Sequence, residues 1–93
     1  MESWRTDMFL QDCLEGDVAG VKEALVLGVN VNFSDGKATG LMKAITGGHE
    51  SVITTLLAHP DININFPIAK SGVTALHVAC AVDNVTAISI LTK

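Results

Sequence analysis

Histidine, cysteine and lysine supply the most reactive side chains in this sequence. His77 and Cys80 are one helical turn apart, a spacing at which two side chains could bind the same metal ion. A zinc site requires three or four protein ligands, however, and no second pair of His or Cys residues has a matching spacing. We therefore interpret both residues as structural, and the sequence predicts no metal and no cofactor.

A short segment, Gly36-Lys37-Ala38-Thr39, resembles the end of a phosphate-binding loop. Such a loop needs a glycine five residues before Gly36, where Val31 lies, and a Ser or Thr directly after Lys37. The chain also lacks the G-x-S-x-G pattern of a serine nucleophile, and no pair of carboxylates can be assigned to one pocket. We predict that the chain is not an enzyme.

Composition and charge limit the classes of partner. The 93 residues contain six Lys and Arg against ten Asp and Glu, so the net charge is −4, which argues against binding nucleic acid. The longest apolar stretches, such as residues 24–27, are far too short to cross a bilayer, and residues 1–7 lack the pattern of a signal peptide. Cys13 and Cys80 have apolar neighbours and are expected to be buried free thiols. These features predict a soluble protein of the cytoplasm or nucleus.

The chain repeats itself. Residues 16–25 align with residues 48–57 at an offset of 32, and residues 39–44 align with residues 74–79 at an offset of 35. Val29-Asn30-Val31-Asn32-Phe33 also returns as Ile62-Asn63-Ile64-Asn65-Phe66 at an offset of 33. The simplest account is one domain of three similar units, residues 1–33, 34–66 and 67–93, of which the last is incomplete.

Each unit has the pattern of two short helices and a turn. Thr39 and Thr74 are suited to cap the first helix of their units, because a hydroxyl oxygen can accept a backbone N–H. Gly47-Gly48 is expected to break that helix in the second unit, and Gly28 to end the second helix of the first unit. One helix pair cannot bury its apolar side alone, so the units are expected to stack into an all-α fold.

These motifs resemble the ankyrin repeat. Thr74-Ala75-Leu76-His77-Val78-Ala79 matches the T-P-L-H-x-A signature except at Ala75, and residues 28–32 are similar to the G-A-D-V-N ending. The resemblance implies an ankyrin-repeat solenoid of stacked helix-turn-helix units joined by β-hairpin-type loops, whose first unit is an amino-terminal cap. It also implies that His77 and His49 are structural, with His77 bracing its own repeat through hydrogen bonds.

The function implied by the resemblance is that of a non-enzymatic adaptor, which binds a protein partner through hairpin loops and the concave helix face. Ile68 is the preferred anchor, because it is an apolar residue in a polar loop. Phe33 and Phe66 are expected to pack under the hairpins rather than to contact a partner. The residues expected to contact the partner are Asp35, Lys37, Met42, Thr46, Ile68, Lys70, Ser71 and Val82.

Two alternatives to the adaptor remain open. Residues 88–93 end without a G-A-D-V-N motif or a polar capping unit, so the chain could be the structural amino-terminal part of a longer array. Within this first alternative, the same uncapped carboxy-terminal helix pair could instead associate with another copy. The second alternative is that the repeats regulate the catalytic part of a multidomain protein.

Overall fold

The computed structural model describes residues 3–67 and 72–92, and within these ranges the regular secondary structure is helical. The helices come in three pairs, each made of two helices joined by a tight turn. Their bounds are α1 Ser3–Glu15, α2 Val18–Val26, α3 Gly40–Gly47, α4 Glu50–Leu57, α5 Ala75–Ala81 and α6 Val85–Leu91.

The three pairs stack in chain order. The first helices form one layer, in which α3 packs between α1 and α5, and the second helices form the other layer, in which α4 packs between α2 and α6. Each first helix also packs on the second helix of its own pair. This arrangement is the stack of helix-turn-helix units that the sequence predicts, because each pair buries its apolar side against the next.

The core of this stack lies on α3 and its neighbours. Phe9 and Cys13 of α1 are fully buried, as are Ala44 of α3 and Ala79 of α5. Small residues bring the helices close together: a Cβ atom added at Gly40 would lie 2.8 Å from the Phe9 ring. The shortage of aromatic side chains is therefore matched by close packing of helices.

Polar side chains and glycines set the ends of the helices. The Thr39 hydroxyl oxygen accepts a hydrogen bond from the backbone N–H of Met42 at 3.2 Å, as predicted for a cap. Gly48 ends α3 with a φ of +73°, and Gly28 follows α2 with a φ of +98°. Asp17 also caps α2 by accepting the N–H of Gly20 at 3.0 Å, a role that the repeat alignment did not predict.

Neighbouring units are also joined by side chain to backbone hydrogen bonds. The amide of Asn32 accepts from the backbone N–H of Asn63 at 2.7 Å and donates to the carbonyl of Asp61 at 2.9 Å. The amide of Asn84 donates to the carbonyl of Ile45 at 3.1 Å. These bonds fix the register of one unit against the next, since each one spans about one repeat of sequence.

The two cysteines differ in their surroundings. Cys13 is buried, and burial raises the pKa of its thiol to about 12, with the nearby Asp12 carboxylate adding to the effect. Cys80 is exposed, so the expectation that both thiols are buried is wrong for Cys80. The reason is that α5 packs on α3 through Ala75 and Ala79, which leaves Cys80 on the other side of the helix.

Candidate functional site

The loop before α3 is a tight finger, closed by an antiparallel bridge between Ser34 and Thr39. The Asp35 carboxylate accepts the backbone N–H groups of Lys37 at 2.8 Å and of Ala38 at 3.0 Å. The bond from Lys37 is the main cause that lowers the pKa of Asp35, and the ammonium group of Lys43, 3.7 Å away, contributes. Asp35 therefore holds the finger in shape, while the side chain of Lys37 remains exposed.

A groove runs between the turn that joins α3 to α4 and the turn that joins α5 to α6. We call it the turn groove; it has a volume of about 430 Å³. It is lined by Ile45, Thr46, Gly47, Gly48, Glu50, Ile53 and residues 82–86. The turn groove brings together two of the predicted contact residues, Thr46 and Val82, both of which are exposed.

The turn groove combines apolar walls with carboxylates. Val82 and Val85 present apolar surface to solvent, and Val85 is 70% exposed. Glu50 and Asp83 add negative charge to the lining. The backbone of this wall is fixed, because Asn84 caps α6 through the N–H of Ala87 at 3.0 Å and is also bonded to the preceding unit. Such a groove can receive an apolar side chain of a peptide without first having to be ordered.

The prediction that Met42 points outwards on the concave face is wrong. Met42 is only 1% exposed and belongs to the hydrophobic core. Since α3 packs against α1, α4 and α5, the neighbouring helices cover the Met42 side of α3 as well. Only Lys43, Thr46 and Gly47 of this helix keep accessible surface.

Three other predicted contact residues, Ile68, Lys70 and Ser71, lie outside the described residues, and their role stays a prediction. Of the two phenylalanines that follow the Asn-rich segments, Phe33 is half-buried and packs against the core, as expected. Phe66 is also half-buried.

His77 and His49, which are both predicted to have a structural role, make the expected kind of contact. The Nδ1 atom of His77 accepts the backbone N–H of Thr74 at 3.0 Å, which braces the start of α5. The Nε2 atom of His49 lies 2.9 Å from the carbonyl oxygen of Leu14, so this ring joins the first two units. Gly16 and Gly47 make room for the His49 ring, since a Cβ atom at either position would lie within 2.6 Å of a ring atom. Within the described ranges, no three His, Cys, Asp or Glu side chains are grouped closely enough to bind a metal ion.

Comparison with known proteins identifies the family. A family profile described as ankyrin repeats in three copies matches residues 9–93. The chain belongs to the ankyrin-repeat family. This ankyrin-repeat chain is also 36% identical, over 69 residues, to the ankyrin repeat and KH domain-containing protein mask-1 of Caenorhabditis elegans. The match covers 74% of this chain but only 3% of that relative, so the chain spans a very small part of its length.

Membership of this family confirms the resemblance that was found in the sequence. It also confirms the predicted all-α solenoid fold. Ankyrin repeats are a general module for binding other proteins, and the family is generally non-enzymatic. The unit bounds at residues 33 and 66 stay a prediction. Among the helices of the described residues, none is long and apolar enough to span a membrane.

The sequence did not reveal the turn groove itself. Glu50, Asp83, Asn84 and Val85 belong to no motif that points to a binding site. The groove forms because the stack places residues 45–53 beside residues 82–86. A signal was present in Val82 and Val85, two apolar residues that flank a polar turn, but such pairs also occur at ordinary helix ends.

Proposed function

We propose that this ankyrin-repeat chain is a non-enzymatic adaptor module that binds a segment of another protein along the finger and the surface of the first helices. The turn groove is the main support for this proposal. It is an open, preformed groove with exposed apolar residues at its edge, and it includes Thr46 and Val82. Rigid grooves of this kind favour binding, because little conformational entropy is lost in the receptor.

The finger contributes a second contact region. Lys37 projects from its tip, and the bonds of Asp35 hold the backbone in one conformation. A pocket of about 220 Å³ lies beside the finger and is lined by both apolar and charged side chains. Its lining consists of Asp7, Leu10, Gln11, Leu14, Asp35 and Lys43. The bound segment is therefore expected to carry an apolar anchor for the turn groove and polar groups near the finger.

Replacement of Val82 by arginine tests the turn groove. Peptides selected from a random displayed library against the immobilised chain are expected to bind V82R about tenfold more weakly, since loss of one good apolar contact commonly removes that much affinity. Binding is measured by isothermal titration calorimetry. Val26→Arg is the matched control, because Val26 is 85% exposed and lies on α2, outside the turn groove. Selected peptides that bind V82R as tightly as the parent chain would contradict the proposal.

The second candidate function is that of a structural part of a longer ankyrin array. The last helix pair exposes Leu76 and Cys80 on surfaces that no described element covers. Asn65 stands at the repeat position of Asn32 and is exposed, whereas Asn32 bonds to the following unit. These groups suit the stacking of one more unit, or of a second copy of the chain, on this end.

Light scattering over a concentration series tests whether the chain self-associates through the last helix pair. The 93-residue chain is expected to show an average mass that rises with concentration, because exposed apolar surface at the end of a stack favours association. Leu76→Glu should weaken this association by about tenfold or more, since it places a charge on the contact surface. Val26→Glu adds the same charge elsewhere and should not. A parent chain that stays monomeric throughout the series would contradict self-association.

A further inference from the structure

The outer side of the first unit carries a cleft that the proposed function does not use. It lies between α1 and α2, and we call it the amino-terminal cleft. Its lining consists of Trp4, Arg5, Met8, Asp12, Gly20, Glu23, Ala24 and Leu27. Phe9 and Cys13, which belong to the core, lie on the other side of α1. The cleft therefore faces away from the rest of the stack.

Large apolar side chains border the amino-terminal cleft. Trp4, Met8 and Leu27 are 55%, 54% and 49% exposed, respectively. Contiguous exposed apolar surface of this kind often marks a binding site for another protein. The floor of the cleft lies close to the backbone, because α1 and α2 approach each other at Gly20. A Cβ atom at Gly20 would lie only 2.3 Å from the Asp12 carboxylate.

The size of the cleft favours a side chain over a small molecule. Its volume is about 130 Å³. Pockets that bind small ligands are typically about 300–1,000 Å³. A space of this size, open to solvent and bordered by apolar groups, fits one apolar side chain that projects from a larger partner.

The distribution of charged residues indicates which kind of partner fits the cleft. Residues 1–27 contain six acidic and two basic residues, whereas residues 28–93 contain four of each. The whole net charge of −4 is therefore carried by residues 1–27 of the sequence. Asp12 and Glu23 lie in the cleft lining itself. The one cation in the lining, Arg5, lies over the Trp4 ring, with its guanidinium carbon 5.4 Å from the ring centre.

The direction in which the pKa of Asp12 is shifted agrees with this concentration of negative charge. Burial raises the pKa of the Asp12 carboxyl, and the neighbouring carboxylates of Asp17 and Glu15 raise it further. Cationic groups placed beside these carboxylates would relieve the repulsion among them.

We propose that the amino-terminal cleft binds a basic amphipathic helix of another protein. An apolar residue of that helix enters between Met8 and Leu27, and flanking lysines or arginines approach Asp12 and Glu23. Anionic partners are disfavoured, since phosphate groups would be repelled by the carboxylates. The last helix pair of a second copy offers no comparable set of cations, because Asp83 is the only charged residue within residues 72–92. This site lies on a different surface from the turn groove and does not depend on it.

Trp4 is the single tryptophan of the chain, so its fluorescence reports directly on the cleft. The probe is a 14-residue peptide of leucine and lysine, with leucines at helical spacing on one side. Saturable binding with a shift of the Trp4 emission is expected. Binding should weaken about tenfold or more in Leu27→Gln, since burial of a leucine side chain carries that much affinity. Glu23→Lys should weaken it by a similar factor at low salt, because like charges then face each other.

Matched controls separate the cleft from general attraction. Val26→Gln changes an exposed apolar residue of α2 that is not in the cleft lining, and Asp61→Lys makes the same charge change as Glu23→Lys in the loop after α4, outside that lining. Both should keep binding within about twofold of the parent chain, since neither removes a cleft contact. Circular dichroism melts establish that each variant is folded.

Several results would overturn the proposal. These are the absence of binding, equal binding of a scrambled peptide of the same composition, and equal binding of a peptide with glutamate in place of lysine. Equal weakening by Asp61→Lys and Glu23→Lys would show a general charge effect. A concentration-dependent mass that Leu27→Gln abolishes, together with no response to the peptide, would show that the cleft is a contact between copies.

Discussion

Replacement of Phe9 by alanine is expected to lower the free energy of unfolding by about 3–5 kcal/mol. Phe9 is fully buried where α1 packs on α3, and its ring lies directly against the backbone of Gly40. Alanine would remove the ring and leave a cavity that the neighbouring helices cannot fill without moving. Urea denaturation followed by circular dichroism measures the change.

Met8→Ala is the matched control for this change. Met8 precedes Phe9 on the same helix but is largely exposed, so its truncation should cost less than about 1 kcal/mol. A protein of this size has a total stability of about 5–14 kcal/mol, so the loss of Phe9 could remove much of it. If Phe9→Ala and Met8→Ala cost the same, the packing of α1 on α3 described above is wrong.

The elements of the fold were predictable because their signals are local. A hydroxyl before an apolar run, as at Thr39, or a glycine after one, as at Gly28, sets a helix end within a few residues. The recurrence of Asn30-Val31-Asn32 one repeat later then placed these elements in register. Together these signals are sufficient for the family and for the order of the helices.

The surface was less predictable, since it depends on what each helix packs against. Helical periodicity indicates that Met42 and Leu41 point in different directions, but not that neighbours cover both. The same limit explains why Cys80 is exposed. Its neighbours in sequence are apolar, but its side of α5 does not pack against another described helix. Likewise, the amino-terminal cleft joins α1 residues to α2 residues, and periodicity within one helix does not reveal such a cleft.

Replacement of Asn32 by alanine is expected to cost about 2 kcal/mol, because two hydrogen bonds between units are lost at about 1 kcal/mol each. The side chain of Asn32 accepts from the N–H of Asn63 and donates to the carbonyl of Asp61. Asn32→Asp keeps the acceptor but loses the donor and sets a carboxylate against a carbonyl oxygen. It should therefore not restore stability. Urea denaturation of both variants measures these differences.

Asn65 provides a control within the same chain, since it occupies the corresponding position one repeat later and is exposed. Asn65→Ala should change the free energy of unfolding by less than about 0.5 kcal/mol, as is usual for surface positions. Equal costs for Asn32→Ala and Asn65→Ala would show that the bonds between units contribute nothing measurable. The contrast also bears on the longer array: if the third unit is extended after residue 93 by a segment like residues 61–66, and this segment packs as residues 61–66 do, Asn65 gains the partners that Asn32 has. The cost of Asn65→Ala should then rise to about 2 kcal/mol, because the same two bonds would form.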